Sequence, residues 1–381
     1  MTDYRLAANV EEMLRHSLRP VHRPGPGVVA LMNGDPDFDT PEHIRRALAE
    51  AVGSGLTHYG PNQGDPELRE VIAARLSRPD APVGADQVLI THGSTAGISA
   101  SVLAAVDRGD RVLIPTPTYS LYADVVRLAG GKPVAVPSRE DLQLDMGAIA
   151  AAAPGARMIM ICNPCNPTGA VYPPETMAEL GRIAERHDLL VVADEAYDHL
   201  IFDGTRFIST LDVPELAGRV LYVQTFSKTY AMTGWRVGYL AGPKRLVDGA
   251  LAVHRTFNGP ANQALHRAAL AALTGPQDVV EVMRREYALR RELVVELLHG
   301  IPGVTFHPPA GTFYAFLGYG GGASSVDVAG QAMQAGVAVR AGSEYGEGGD
   351  GHLRLSFATS RELLTEGISR LRPVLESQAR D

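Results

Sequence analysis

The sequence predicts an α/β protein: a large lobe on a mostly parallel seven-stranded sheet covered by helices, plus a smaller α+β lobe. Between Asp65 and Pro243, helix-like segments alternate with short apolar, β-rich runs at 87–91, 111–114, 133–136, 157–161, 189–193, 219–224 and 237–241. Several of these runs are continuously apolar, as strands covered on both faces must be, and helical segments separate most of them. After Pro243 the character changes. Long helical patterns at about 244–256, 262–273 and 277–299 lead to short strands at 304–307, 312–316, 337–340 and 352–357, and a helix closes the chain over 360–376.

The remaining elements follow in order. Leu6, Val10, Met13, Leu14 and Leu18 fall at helical spacing, and residues 20–27 are rich in proline and glycine, which predicts a short helix and a mobile arm. Pro41 opens a helix over 42–52, with Thr40 placed to cap it. The predicted division is residues 1–45 as an arm and part of the smaller lobe, 46–275 as the large lobe, and 276–381 as the small C-terminal lobe.

Bulk properties describe an ordinary globular enzyme-sized chain of 381 residues with a formal charge of -8. No basic run or arm is present, so nucleic acid is not expected as a partner. No window approaches ~18 uninterrupted apolar residues, so no membrane span is expected. The first residues carry charges throughout and lack the apolar core of a secretory signal. With 2 cysteines there is no disulfide framework, which fits a reducing cytoplasm. Cys162 and Cys165 form a C-x-x-C, but no second pair exists to complete a zinc site, and Pro164 and Pro167 oppose the helix opening of a redox pair. Chance spacing accounts for the motif, and no metal is expected. Glycine-rich nucleotide signatures and the G-x-S-x-G elbow are missing.

Chemistry concentrates at the ends of the predicted strands, where ligands of open α/β sheets bind. The run 219–224 delivers Thr225, Ser227 and Lys228, with Arg236 eight positions further on. A lysine after an apolar strand loses hydration, which disfavours its ammonium form and makes it an amine nucleophile. The planar fork of an arginine suits phosphate or carboxylate. Lysine amine with a phosphate anchor is what pyridoxal 5'-phosphate requires for a Schiff base. The run 189–193 ends at Asp194, followed by Glu195, Ala196 and Tyr197. The run 157–161 leads to a turn presenting Asn166. The run 87–91 opens into His92, Gly93, Ser94 and Thr95 at a helix start, where free amides and the helix dipole favour a phosphate.

These residue types supply what that coenzyme needs. A buried carboxylate such as Asp194 keeps the pyridine nitrogen protonated, so that the ring withdraws electrons from a carbanion. Asn166 and the Tyr197 hydroxyl can bond the phenolic oxygen, and Tyr119 can stack on the ring. The Lys228 amine, once displaced by substrate, can move the Cα proton. Taken singly, each has a plainer reading: Lys228 a surface lysine, Asp194 a helix cap, Asn166 a turn former, Tyr119 a core residue. Their joint occurrence at strand ends favours the coenzyme.

Over almost its full length the chain resembles fold-type I pyridoxal-phosphate enzymes of the class I/II aminotransferase family. The marks are Asn33-Gly-Asp-Pro-Asp-Phe-Asp-Thr-Pro41, His58-Tyr-Gly-Pro-Asn-Gln-Gly64, Asn163-Pro-Cys-Asn-Pro-Thr-Gly169, Ala193-Asp-Glu-Ala-Tyr197, the Lys228 segment and His352-Leu-Arg-Leu-Ser-Phe-Ala358. The resemblance implies the transferase fold of that family. It makes Lys228 the Schiff-base lysine, Asp194 the pyridinium partner, and Asn166 and Tyr197 the phenolate contacts. It assigns the phosphate to the Gly93, Ser94 and Thr95 cradle with Thr225 and Arg236. Tyr59 would reach the phosphate of a neighbouring subunit, in a homodimer with shared sites. Arg354 would clamp the substrate α-carboxylate, helped by Asn166 and the backbone of Gly34.

The implied reaction is transfer of an amino group from an α-amino acid to a 2-oxo acid. A lyase, cyclase or oxidase acting through the same quinonoid intermediate stays open at this point. A ligand-binding regulator on this fold would need a DNA-binding segment, and only about thirty residues precede the first motif. Two departures stand out. Ala96 replaces the Gln or Glu common in relatives, and Arg340-Ala-Gly-Ser-Glu344 replaces a usual apolar residue, proline and small residue. Arg340 and Glu344 are therefore expected either to touch substrate or to form a surface ion pair beside the entrance.

Overall fold

The computed structural model describes residues 4–18 and 24–379, so the predicted mobile arm lies in part outside the described residues. A short strand, β1 (Val29–Ala30), precedes seven strands that form one sheet. These are β2 (Val88–Thr91), β3 (Arg111–Thr116), β4 (Lys132–Pro137), β5 (Ala156–Cys162), β6 (Leu190–Asp194), β7 (Val220–Thr225) and β8 (Gly238–Ala241). Their order is β2-β8-β7-β6-β5-β3-β4, and β8 alone runs antiparallel to both its neighbours. Each lies within two residues of its predicted limits.

The sheet's strands read as apolar runs because alternate residues serve two separate cores. Ile159 and Ile161 of β5 join one apolar cluster with Val191, Ala193 and Tyr222, while Met158 and Met160 join the other with Val192, Leu221 and Val223. With side chains alternating faces along a strand, burial of both faces demands apolar residues at nearly every position. Each such side chain contributes about 1.5–3 kcal/mol relative to exposure.

The C-terminal part forms a four-stranded antiparallel sheet of β9 (Thr305–Phe306), β10 (Tyr314–Gly318), β12 (Arg340–Ala341) and β13 (His352–Ser356), in the order β12-β13-β10-β9. The predicted strand 337–340 is in fact two strands in different sheets. β11 (Val337–Ala338) pairs in parallel with β1, whereas Arg340 and Ala341 pair with Arg354 and Leu353. An unbroken apolar run carries no mark of such a change of partner. The exchange threads the N-terminal segment into the C-terminal sheet: the Leu31 amide donates to Ala338, and the Ser356 amide donates to the Leu31 carbonyl at 2.7 Å. Arg290 of the helix Asp278–Leu298 then grips Asp37 through two hydrogen bonds of 2.7 and 3.0 Å. This threading carries Asn33 and Gly34 to the ends of the large sheet.

Two local expectations are corrected. The helix Glu42–Gly53 is not capped by Thr40. Pro41 takes the cap position, and the Thr40 hydroxyl donates instead to the Ala231 carbonyl at 2.5 Å, a tertiary partner. The first helix is shorter than predicted, Ala8–His16, and none of its residues is buried; Leu14 and Leu18 are exposed. It rests on the helix Leu121–Leu128 through Asn9, which donates to the Leu128 carbonyl, while Ser17 just beyond it bonds Asp124.

The backbone comes very close to its neighbours at Gly238, where β8 begins. A Cβ there would lie 2.6 Å from the Gln224 carbonyl oxygen and 3.1 Å from the Gly93 Cα, both rigid backbone atoms. Gly238→Ala is expected to cost about 1–3 kcal/mol through overpacking. Denaturant unfolding checks it, and an unchanged midpoint would show that the strands spread freely.

Candidate active site

Strands β5, β6 and β7 lie side by side and parallel, so their carboxyl ends share one edge of the sheet. A cavity of about 730 Å³ opens there, lined by residues from these ends and from the N-terminal and C-terminal segments. It brings together Gly34, Ser94, Thr95, Tyr119, Asn166, Asp194, Tyr197, Thr225, Lys228, Arg236 and Arg354.

Lys228 sits in a four-residue helical turn, Phe226–Thr229, that follows β7 directly. Thr225 caps the turn: its Oγ1 accepts from the Ser227 amide at 3.2 Å and donates to the Ser227 hydroxyl at 2.8 Å. The Lys228 amine donates to the Gly34 carbonyl at 2.5 Å. Burial pushes its pKa down to about 8, against the pull of Asp35 and Asp194 and with the repulsion of Arg236 and Arg354. An amine so placed is largely available in its neutral form at mildly alkaline pH.

Asp194 ends β6 at 5 % exposure. Its Oδ2 accepts from the Tyr122 hydroxyl at 2.9 Å and its Oδ1 from the Ala196 amide at 3.2 Å. Both donors are uncharged, and burial raises the carboxyl pKa despite them and despite Lys228. A buried carboxylate in this state favours a cationic N–H donor in the cavity, which is the chemistry of a protonated pyridine.

Arg354, on β13, is buried and supplies the opposite charge. Its Nη1 donates to Asn166 Oδ1 at 3.0 Å and its Nη2 to the Met32 carbonyl at 2.7 Å. Its Cζ lies 4.1 Å from the Tyr314 ring centroid and 5.0 Å from that of Tyr345. The buried Nε has no hydrogen-bond partner among the described residues. Asn166 and Met32 offer the guanidinium neutral oxygens, so it suits an added carboxylate.

The third subsite is the start of the helix Gly93–Ala105. His92 at its cap position makes no side-chain capping bond, and no acidic residue occupies the first turn. Gly93 has φ 75°, and a Cβ there would lie 2.5 Å from Arg236 Nη2. Gly93 thus does not line the cavity but leaves space for the Arg236 guanidinium beside the helix start. Arg236 itself adopts a left-handed conformation, φ 54°, with Nη1 donating to the Thr233 carbonyl at 2.9 Å. Free amides, helix dipole and guanidinium together fit a phosphate.

Tyr197 is buried, with its hydroxyl 3.1 Å from that of Tyr314. Tyr119 lines the cavity and meets Tyr122 edge-on at 5.8 Å. Tyr59 lies apart at 93 % exposure, outside the cavity of this chain. Arg340 and Glu344 both line the cavity and pair at 3.3 Å. Cys162 lines the cavity and Cys165 is buried; burial raises both thiol pKa values, the opposite of what a reactive thiolate needs.

Three tyrosines escaped the sequence reading: Tyr122 on Asp194, Tyr314 on Tyr197 and Arg354, and Tyr345 on Arg354. Tyr122, three residues after Tyr119, carried a weak spacing signal. Tyr314 and Tyr345 carried none, since each reads as another apolar residue near a buried strand.

The family description "Aminotransferase class I and II" matches residues 26–371. The chain is 38% identical over 364 residues to an aspartate aminotransferase of Pyrococcus abyssi, covering 92% of each. It is 37% identical over 365 residues to aromatic-amino-acid aminotransferase 2 of Thermococcus litoralis, again covering 92% of each. The solved aromatic aminotransferase of Pyrococcus horikoshii superposes with a TM-score of 0.90 at 35% identity, over 97% of this chain and 99% of that one. A lysine, a carboxylate and an anion cradle at one sheet edge agree with these likenesses, and the chain belongs to the class I and II aminotransferases, a pyridoxal-phosphate-dependent family.

Proposed function

We propose that this chain binds pyridoxal 5'-phosphate through the Lys228 amine and moves an amino group from an α-amino acid to a 2-oxo acid. The observation that carries this is the shared cavity of a desolvated Lys228 amine, the buried Asp194 carboxylate and the buried Arg354 guanidinium. When bound, the coenzyme supplies a ring that accepts electron density from the substrate Cα. The protein's residues do the rest. Asp194 would hold the proton on the pyridine nitrogen, Tyr119 would cover the ring, and Asn166 and Tyr197 would bond the phenolic oxygen. Ser94, Thr95, Thr225 and Arg236 would form the phosphate cradle, with Gly93 leaving room for the Arg236 guanidinium. Arg354 orients the substrate by its α-carboxylate, with Asn166 and Gly34 beside it. The freed Lys228 amine moves the proton at Cα. The aminotransferase relatives weigh against a lyase, cyclase or oxidase outcome.

Tyr59 is assigned to the phosphate of a second copy of the chain in a homodimer. Its exposure supports this reading, and Gln263 steadies its neighbour His58 by donating to that residue's carbonyl at 3.0 Å. Among the described residues no helix is long and apolar enough to cross a membrane. A cytoplasmic location agrees with the two free cysteines. The three-part division drawn above, with the N-terminal 45 residues shared between arm and smaller lobe, is supported by the pairing of β1 with β11.

Arg340 and Glu344 bias the site toward a substrate with a polar or charged side chain. Arg340 pairs in register with Arg354 on the adjacent strand, so both side chains leave the same face of the sheet. A substrate held by Arg354 therefore has the Arg340–Glu344 pair within its surroundings.

Borohydride treatment of the holoenzyme is expected to fix the coenzyme on the peptide carrying Lys228, and Lys228→Ala to lose transfer by at least ~10²–10⁴-fold. Retained fixation in Lys228→Ala would end the assignment. Uptake of pyridoxal phosphate by the unliganded protein requires the neutral amine, so its rate should rise with pH and level off above about 8. A rate still climbing at about pH 10 would indicate an ordinary exposed lysine. A panel of amino donors should show altered preference between charged and aromatic side chains in Arg340→Ala and Glu344→Ala. Unchanged ratios of kcat/KM in both variants would remove the pair from the specificity site.

A further inference from the structure

Tyr314 has no place in the phosphate cradle, the lysine turn or the carboxylate clamp, yet it touches residues of each end of the site. It is the first residue of β10 and is 2 % exposed. Its hydroxyl oxygen lies 3.1 Å from the Tyr197 hydroxyl, and its ring face lies 4.1 Å from the Arg354 guanidinium carbon. A Cβ on Gly34 would fall 1.9 Å from the same hydroxyl, so the phenol occupies the space that the missing side chain leaves. The Gly34 carbonyl in turn receives the Lys228 amine. One side chain therefore meets the tyrosine assigned to the phenolic oxygen, the arginine assigned to the α-carboxylate, and the backbone that holds the lysine.

The ring cannot easily turn away. Its own amide is held by Thr312 Oγ1 at 3.1 Å, and Thr312 adopts a positive φ of 64°, an uncommon conformation for a β-branched residue. Phe313 packs edge-on against Tyr197 at 5.5 Å and against the Tyr314 ring at 4.9 Å. A hydroxyl has one proton and two lone pairs. If Tyr197 gives its proton to the phenolic oxygen of the coenzyme, only its lone pairs face Tyr314, and Tyr314 must be the donor. Two hydroxyls in series polarise each other, and the outer donation strengthens the inner one.

We propose that Tyr314 is a positioning residue that donates to Tyr197, so setting how firmly Tyr197 holds the phenolic oxygen, while its ring braces Arg354 for the α-carboxylate. This rests on the coenzyme reading above. The hydroxyl and the ring have separable consequences. Loss of the hydroxyl weakens the Tyr197 bond to the phenolate and makes the imine harder to deprotonate. Loss of the ring frees Arg354 to tilt.

The test is a pH titration of the visible absorbance of borohydride-competent holoenzyme, with steady-state kinetics alongside. Tyr314→Phe is expected to raise the absorbance midpoint by about 0.3–1 pH unit, the size of one neutral hydrogen bond, with KM for the amino donor nearly unchanged. In a Tyr197→Phe background the same substitution should leave the midpoint where it is, because the relay is already cut. Tyr314→Leu should raise KM for α-amino acids by about tenfold, the scale of a lost guanidinium–aromatic contact. A midpoint unmoved by Tyr314→Phe, or moved equally in both backgrounds, would overturn the inference while leaving the coenzyme reading intact. Failure of borohydride to fix the coenzyme in the unchanged enzyme would overturn both.

Discussion

Parallel pairing of three neighbouring strands is the constraint on which this site depends. Cys162 pairs in register with Asp194, and Asp194 with Val223, so β5, β6 and β7 end together although some thirty residues of chain separate each from the next. Parallel strands must be joined by crossovers: the helix Pro174–Arg186 links β5 to β6, a segment with two short 3-10 turns links β6 to β7, and apolar clusters bury both sheet faces. Everything polar is thereby driven to the strand ends, where backbone groups leave the ladder and side chains meet water. Asp194 is the last residue of β6, and Asn166 and Lys228 follow shortly after the ends of β5 and β7. The antiparallel β8 closes the arrangement from the other side, since its first residue passes against Gly93 at the start of the phosphate-suited helix.

The second layer of organisation is electrostatic. Lys228, Asp194 and Arg354 all lose hydration in one cavity, and the neutral hydrogen-bond partners they keep only partly replace it. A buried charge without a matched partner costs several kcal/mol, so an arrangement of this kind is held by the surrounding fold rather than by the charges themselves. The proposed occupants answer each charge: a pyridinium for Asp194, a carboxylate for Arg354, a phosphate for Arg236 and the helix start. A neutral Lys228 follows from the same desolvation. The cost of burying these groups and their fit to the proposed occupants are two aspects of one geometry.

Aromatic side chains link these charges. Tyr122 steadies Asp194, Tyr345 and Tyr314 cover Arg354, and Phe313 packs against Tyr197. Such groups orient polar atoms without adding charge, so they do not disturb the electrostatics of Lys228, Asp194 and Arg354. The threading of β1 and the residues after it beside β11 and β13 completes the enclosure, because it delivers Gly34 between Lys228 and Tyr314.

The amino-acid sequence by itself determined the strand positions, the α/β class and the residues at the strand ends, because continuous burial imposes an apolar run and the chemistry sits where the run stops. Lys228, Asp194 and Asn166 were legible for that reason. Only the tertiary structure decided which strand the residues after Val337 pair with, what Thr40 bonds, and that Tyr122, Tyr314 and Tyr345 belong to the site. Each of those outcomes depends on a partner distant in the chain. An apolar residue looks the same in sequence whether its ring fills a core or braces a guanidinium, and only three-dimensional contact separates the two.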